Sequence, residues 1–302
     1  MTASNCADVC CIETRIKGTK LTSSPEIHSI RIQGKQFSFD KPCVMGIINI
    51  NEDSFFAGSR VSDSNFLHLA SRHVQEGAQF LDLGASSSRP GALISQVSEE
   101  WKRLQPVITA VRKEFPTSII SVDTYHAQVA RWAVESGADL INDISAGKID
   151  PAMFATVAEL KAPYILMHMQ GRPDSMQQNP VYKDVVYEVF HELHQTLQML
   201  KQVGVEDVIV DPGFGFGKSL EHNYQLLNKL DVFHKLKIPL LVGVSRKSML
   251  TRLLDVKVDD ALNGSTVLHT IAIQKGAQIL RVHDVKPAVE AIRILEMIRS
   301  VK

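Results

Sequence analysis

Short apolar, β-branched runs recur along the chain, each closing on a polar residue and each followed by a longer stretch with helical spacing. Eight can be counted, at residues 44–50, 80–84, 118–124, 140–145, 164–169, 208–213, 240–245 and 279–284. Runs this continuously apolar suit strands covered on both faces, as in a parallel sheet flanked by helices. The intervening segments end alike: Glu76-Gly77-Ala78, Ser136-Gly137-Ala138 and Lys275-Gly276-Ala277 each place a glycine just past the last helical turn. Eight strand-then-helix units in this length predict an α/β chain folded as a (β/α)8 TIM barrel, with an open doubly wound sheet as the structural alternative. Ahead of the first run, residues 29–40 alternate around Gly34-Lys35 and predict an N-terminal β-hairpin plugging the barrel floor. Residues 1–27 read as a flexible tail, and 28–302 as one barrel domain without an internal linker.

Composition narrows the partners. The 302 residues carry 33 Lys+Arg against 33 Asp+Glu, a formal charge of zero, with 44% hydrophobic positions. A chain this long buries roughly three quarters of its unfolded surface, and no basic excess favours nucleic acid or an anionic bilayer, so any anion site must be local. No apolar run reaches membrane-spanning length, and the first eight residues lack a basic start and apolar core, so a cytoplasmic location is expected. Cys6, Cys10 and Cys11 crowd the tail while Cys43 lies in an apolar run, which does not make a disulfide framework. A structural zinc would need a fourth nearby ligand, and the first histidine is His28.

Candidate chemistry lies where the apolar runs end. In a barrel those C-terminal ends share one mouth. They read Asn49, Asp82, Asp123 with Thr124, Asn142 with Asp143, His168, Asp211, Ser245 with Arg246 and Lys247, and Arg281 with His283 and Asp284. Singly, each could be a satisfied core group or a cap, but eight polar ends together argue for a polar ligand. Asp123, Asn142 and Asp211 suit a flat heterocycle with adjacent N–H donors, whereas Asn49, Lys247, Arg281 and His283 suit phosphate oxygens. Gly213-Phe-Gly-Phe-Gly-Lys-Ser219 misses the phosphate-loop spacing by one residue and lacks the third glycine of a dinucleotide fingerprint, so it reads as a βα loop. His168 and His283 have no paired-ligand spacing for a catalytic zinc.

The segments Val44-Met-Gly-Ile-Ile-Asn49, Gly84-Ala-Ser-Ser-Ser-Arg-Pro-Gly-Ala92, Ser121-Val-Asp-Thr124, Ile141-Asn-Asp-Ile144, Met167-His-Met-Gln-Gly171, Asp211-Pro-Gly-Phe-Gly-Phe-Gly-Lys218, Val244-Ser-Arg-Lys-Ser248 and Arg281-Val-His-Asp284 together resemble the dihydropteroate synthase family over about residues 28–300. The resemblance implies a folate-pathway transferase in which 4-aminobenzoate displaces diphosphate from (7,8-dihydropterin-6-yl)methyl diphosphate, with Mg2+. It assigns Asp211, Asn142 and Asp123 to the pterin edge, Met167, Ile144 and Phe216 to the ring, and Lys247 to the pterin carbonyl. It assigns Arg281 and His283 to the diphosphate and Asn49 to the metal. Ser88, Arg89 and Pro90 would belong to a second mobile loop over the aminobenzoate, with Ser248 near that substrate. C–O cleavage ahead of attack needs no strong general base, and an anionic Asp123 near the pterin-methyl cation, with Lys247, Arg281 and His283, would form the catalytic set. The resemblance also implies a homodimer formed through the late helices and makes the aminobenzoate site a sulfonamide target, with the affinity for these drugs left open by Ser88.

Two departures stand out: Asn51-Glu52 replaces the usual Thr-Pro before Asp53-Ser54-Phe55, and Ser88 replaces a more usual threonine. The competing readings are a methyltetrahydrofolate-corrinoid methyltransferase, which needs no diphosphate cations, and a pterin-binding paralogue of weak activity, suggested by Glu52.

Overall fold

The computed structural model describes residues 29–50, 65–86, 94–173, 176–177 and 179–301. The expected tail, Asn51-Glu52 and Ser88-Arg89-Pro90 lie outside the described residues. Strands β1 (Ser29–Ile32) and β2 (Lys35–Ser38) pair antiparallel as the expected hairpin. Eight parallel strands follow: β3 (Cys43–Asn49), β4 (Phe80–Gly84), β5 (Ile119–Asp123), β6 (Leu140–Asp143), β7 (Tyr164–Met167), β8 (Val208–Asp211), β9 (Leu241–Val242) and β10 (Ile279–Val282). Their order is β8-β7-β6-β5-β4-β3-β10-β9, and a parallel bridge from Val210 to Leu240 joins the two ends. That closure decides for the barrel over the open sheet.

The described helices are α1 (Asn65–Glu76), α2 (Val97–Glu114), α3 (Ala127–Glu135), α4 (Met153–Leu160), α5 (Val185–Gln202), α6 (Leu220–Asn228), α7 (Ser248–Leu254), α8 (Leu262–Gln274) and α9 (Val285–Ser300). The recurring glycine stops are real. After α1, α3 and α8, Gly77, Gly137 and Gly276 adopt φ of +101°, +108° and +91°. The residue beyond each reaches back five positions, as in Ala78 N–H to His73 O at 2.9 Å and Ala277 N–H to Ala272 O at 2.9 Å. This left-handed closure recaptures the last carbonyls and turns the chain sharply into the next strand.

Alternation along each strand sorts its side chains. One parity, including Val44, Leu81, Leu83, Ile120, Val122, Ile141, Leu166, Val210 and Leu280, faces the helices and forms the main core. The other faces the barrel axis. Its lower layer, with Met45, Phe80, Leu140, Ile165, Ile209, Leu241 and Ile279, packs with Ile30, Ile32 and Phe39, so the hairpin region seals the floor. Burying a Leu- or Ile-sized side chain there contributes roughly 1.5–3 kcal/mol. No helix among the described residues is long and apolar enough to cross a membrane.

Candidate active site

Two residues above the apolar floor, the inward parity turns polar. Asp82 on β4, Ser121 on β5, Asn142 on β6, Asp211 on β8 and Arg281 on β10 occupy this layer. Asp82 is its hub. Its side chain, with no exposed surface, accepts from Ser121 Oγ at 2.5 Å, from Asn142 Nδ2 at 3.2 Å and from Arg281 Nε at 2.7 Å. Arg281 Nη2 also reaches Asp123 Oδ2 at 2.9 Å. Burial works against the Arg281 charge, but Asp82 and Asp123 more than offset it and keep the guanidinium protonated. Burial likewise raises the Asp123 carboxyl above the usual range, against the pull of Arg281.

Asp211 is buried and its Oδ1 accepts the Gly213 N–H at 2.7 Å. Burial pushes its pKa up, opposed chiefly by Lys247. Lys247 Nζ donates to the Phe214 carbonyl and stands 4.7 Å from the centre of the Phe216 ring. Its pKa is lowered to about 8 by burial, with Asp211 pulling the other way. The two chemical halves of the ring converge at Gly243: a Cβ built there would lie 3.7 Å from Lys247 Nζ, 3.8 Å from Arg281 Cβ and 4.0 Å from Asp211 Oδ2. Acidic and basic groups therefore meet at one place on the barrel axis, where Gly243 lets them approach without a side chain between them.

The three residues expected along the ring lie together. Ile144, Met167 and Phe216 are buried in one apolar cluster with Tyr125, Met169 and Met176. His283, half-buried, holds Nδ1 3.1 Å from Ser245 Oγ, and burial lowers its pKa to about 4, with Arg281 adding to the effect. It is a neutral imidazole at pH 7, so the cations of this site are Arg281 and Lys247. Asn49 is exposed at the end of β3, and Ser248, also exposed, opens α7 directly after Lys247.

Several polar strand ends do not face the cavity. Asp143, on the helix-facing parity, accepts from Ser145 N and Oγ at 2.7 Å, Gly147 N at 2.8 Å and Tyr164 Oη at 2.7 Å, and so pins a turn. Asp284 forms a double ion pair with Arg246 at 2.7 and 2.9 Å, which holds Arg246 at a left-handed φ of +52° and sets the course of the chain into Lys247. His168 is taken up by Lys218 at 2.9 Å and by Glu192 at 3.5 Å. His168 and Asp284 are even-numbered beside odd-numbered inward residues, and Asp143 is odd-numbered beside the inward Asn142, so each lies off the inward parity of its own run.

Sequence reasoning passed over Glu100. This residue of α2 is fully buried, and one of its oxygens accepts from Ser86 Oγ at 2.8 Å and Ser95 Oγ at 2.9 Å. The two hydroxyls lie 2.6 Å apart, drawing together the chain on either side of residues 87–93. Tyr125 Oη accepts the Ser95 N–H at 3.1 Å, and His126 Nε2 lies 2.9 Å from the Ser95 carbonyl, tying this junction to the loop after β5.

For Mg2+, which usually keeps one or two protein oxygens alongside water and substrate phosphates, a single exposed amide oxygen such as that of Asn49 is a suitable ligand. Among the described residues no group of three or more His, Cys, Asp or Glu side chains is arranged to hold a metal.

Known proteins carry the same pattern. The family model for pterin binding enzymes matches residues 45–283. The dihydropteroate synthase of Escherichia coli (strain K12) is 43% identical over 273 residues, covering 89% of this chain and 96% of that one. A Yersinia pestis dihydropteroate synthase, solved in a sulfonamide drug complex, superposes with a TM-score of 0.84 at 40% identity, covering 91% of this chain and all of the other. The Xanthomonas albilineans enzyme in complex with 7,8-dihydropteroate gives 0.80 at 34% identity, again over 91% and 100%. With an inward polar layer, a family match spanning most of the barrel and relatives aligned nearly end to end, the chain belongs to the pterin-binding enzymes, within the dihydropteroate synthases.

Proposed function

We propose that this barrel condenses (7,8-dihydropterin-6-yl)methyl diphosphate with 4-aminobenzoate, breaking the methylene C–O bond, forming a C–N bond to the arylamine and releasing diphosphate. The convergence of Asp211, Lys247 and Arg281 around Gly243 carries this reading, because it brings a carboxylate suited to a pterin and cations suited to an anion within reach of one ligand. Asp211 Oδ2, Asn142 and Asp123 are suited to accept from the pterin edge, with Lys247 toward the ring carbonyl and Ile144, Met167 and Phe216 along its faces. Arg281 is poised to receive the departing diphosphate, and His283, entering neutral, is suited to donate one hydrogen bond there. Asp123 faces the same space and would steady positive charge on the pterin methylene carbon.

Asn49 would hold Mg2+, which when bound offsets charge on the diphosphate. Ser88, Arg89, Pro90 and Ser248 are assigned to 4-aminobenzoate, a site that sulfonamides would share given the Yersinia pestis complex. We place the enzyme in the cytoplasm as a homodimer. Exposed Leu262 and Val267 on α8 and Ile294, Met297 and Ile298 on α9 offer the apolar face such a pairing would cover.

The test is direct: protein, Mg2+, the pterin diphosphate and labelled 4-aminobenzoate should yield labelled dihydropteroate with equimolar diphosphate. Pterin binding without that product would identify a non-catalytic paralogue instead, and diphosphate-independent methyl transfer would identify the corrinoid reading.

A further inference from the structure

The loop between β8 and α6 is gripped by two lysines acting on different carbonyls. Lys247 takes Phe214 O from the cavity side. Lys218, only 3% exposed, takes the others from behind: its Nζ donates to Gly213 O at 2.8 Å and Phe216 O at 3.0 Å, and meets His168 Nδ1 at 2.9 Å. Three acceptors within 3.0 Å, with the His168 carbonyl a fourth at 3.4 Å, thus surround its three N–H donors, which is how a buried ammonium is satisfied. Because Lys218 is the donor, His168 carries its proton on Nε2, which faces Glu192 Oε2 at 3.5 Å. Glu192 in turn receives Lys148 at 2.6 Å, and Lys148 also donates to Met169 O at 3.0 Å.

The packing around this lysine is close. A Cβ on Gly213 would collide with the His168 carbonyl oxygen, and one on Gly217 with that of Gln170. Both glycines have positive φ, +71° and +63°. Backbone lies against backbone, and Lys218 fastens the seam between the loop after β8 and the loop after β7.

We propose that Lys218, through His168, is the positioning residue of the pterin pocket, fixing Phe216 and the Gly213 amide that orients Asp211. This rests on the pterin-binding reading above. Lys247 gives one N–H to Phe214 O and keeps others for a substrate, while Lys218 holds the same loop from the far side. Burial lowers the Lys218 pKa to about 7, with Asp211 opposing, so its partners are needed to keep the charge. Lys218 touches no reacting atom in this arrangement.

The experiment compares wild type, Lys218→Met, Tyr182→Phe and, as a control, Lys201→Met at an exposed lysine late in α5. Tyr182→Phe removes a milder restraint on the same loop, the hydroxyl's 2.9 Å bond to Gly217 O. Affinity for 6-hydroxymethyl-7,8-dihydropterin is measured by calorimetry, KM for 4-aminobenzoate at saturating pterin diphosphate, and folding by thermal melting. Lys218→Met should weaken pterin binding roughly tenfold or more while the aminobenzoate KM stays within about twofold, a split that general loosening would not give. Tyr182→Phe should shift the pterin constant in the same direction by about two- to fivefold, and Lys201→Met should leave it unchanged. A folded Lys218→Met with wild-type pterin affinity overturns the proposal. If that variant does not fold, unchanged pterin affinity in Tyr182→Phe overturns it. Wild type that makes no dihydropteroate would sink the functional reading instead, and the pterin titration still reports on Lys218.

Discussion

Arg281 Nη2 lies 2.6 Å from Asp82 Oδ2, a carboxylate with no exposed surface, so the principal cation of the site rests on a buried anion. Asp82→Asn removes that anion and leaves the guanidinium with Asp123 alone. Losing one partner of a buried pair typically costs about 3–5 kcal/mol. The variant should melt roughly 6–20 °C lower, using about 2–4 °C per kcal/mol for a chain of this size. A melting temperature within about 2 °C of wild type by calorimetry would show that Arg281 is held in another way.

Asp123 should behave differently. It is partly open to the cavity and shares Arg281 with Asp82, so Asp123→Asn leaves the main ion pair in place. Turnover should fall by roughly a hundredfold, the size expected when a charge at the transition state is lost, with only a few degrees of change in melting. Parallel losses in kinetics and thermal melting would assign Asp123 to architecture alone.

Glu100 predicts a selective defect. Glu100→Leu removes the oxygen that accepts from the Ser86 and Ser95 hydroxyls, costing about 1–3 kcal/mol as these donors lose their partner. If residues 88–90 serve the aminobenzoate, KM for that substrate should rise while pterin affinity holds. Steady-state kinetics with each substrate varied in turn would show whether the two effects separate.

Acid should destabilise the fold through its histidines. Burial lowers the pKa of His168, His269 and His283 to about 4, and also depresses His73. The unfolded chain takes up these protons near pH 6.5 and the folded chain only near 4, so stability is full above 6.5 and drains away across that window. His269 is 2% exposed and its Nε2 has no hydrogen-bond partner. His269→Leu should flatten the decline by up to about 1.4 kcal/mol per pH unit. Urea melts at pH 4.5, 5.5 and 7 would reveal an unchanged slope if His269 already carries a proton in the native state.

Much of this was legible in the chain because strands covered on both faces must be apolar and glycine is needed where a helix turns left-handed. The run at 80–84 is β4 residue for residue, and Gly77, Gly137 and Gly276 end α1, α3 and α8. Other runs were read too long: 240–245 shrinks to Leu241–Val242 because the chain leaves the ladder toward the left-handed Arg246. The polar ends were found but not sorted, since Asp143, His168 and Asp284 find partners on Tyr164, Lys218 and Arg246 that only tertiary structure supplies. Glu100 looked like an ordinary first-turn acid on α2, and nothing local marks that turn as buried.

The bridge at Val210–Leu240 carries a further consequence. Every other neighbouring pair of barrel strands shares at least two ladder positions, whereas β8 and β9 meet through this bridge and the 2.9 Å bond from Val210 N–H to Pro239 O. Amide protons along this join should exchange with solvent sooner than those between β3 and β4. Directly above it stand Asp211 and the turn leading to Lys247, so this side of the barrel mouth should open more readily than the side anchored by Asp82.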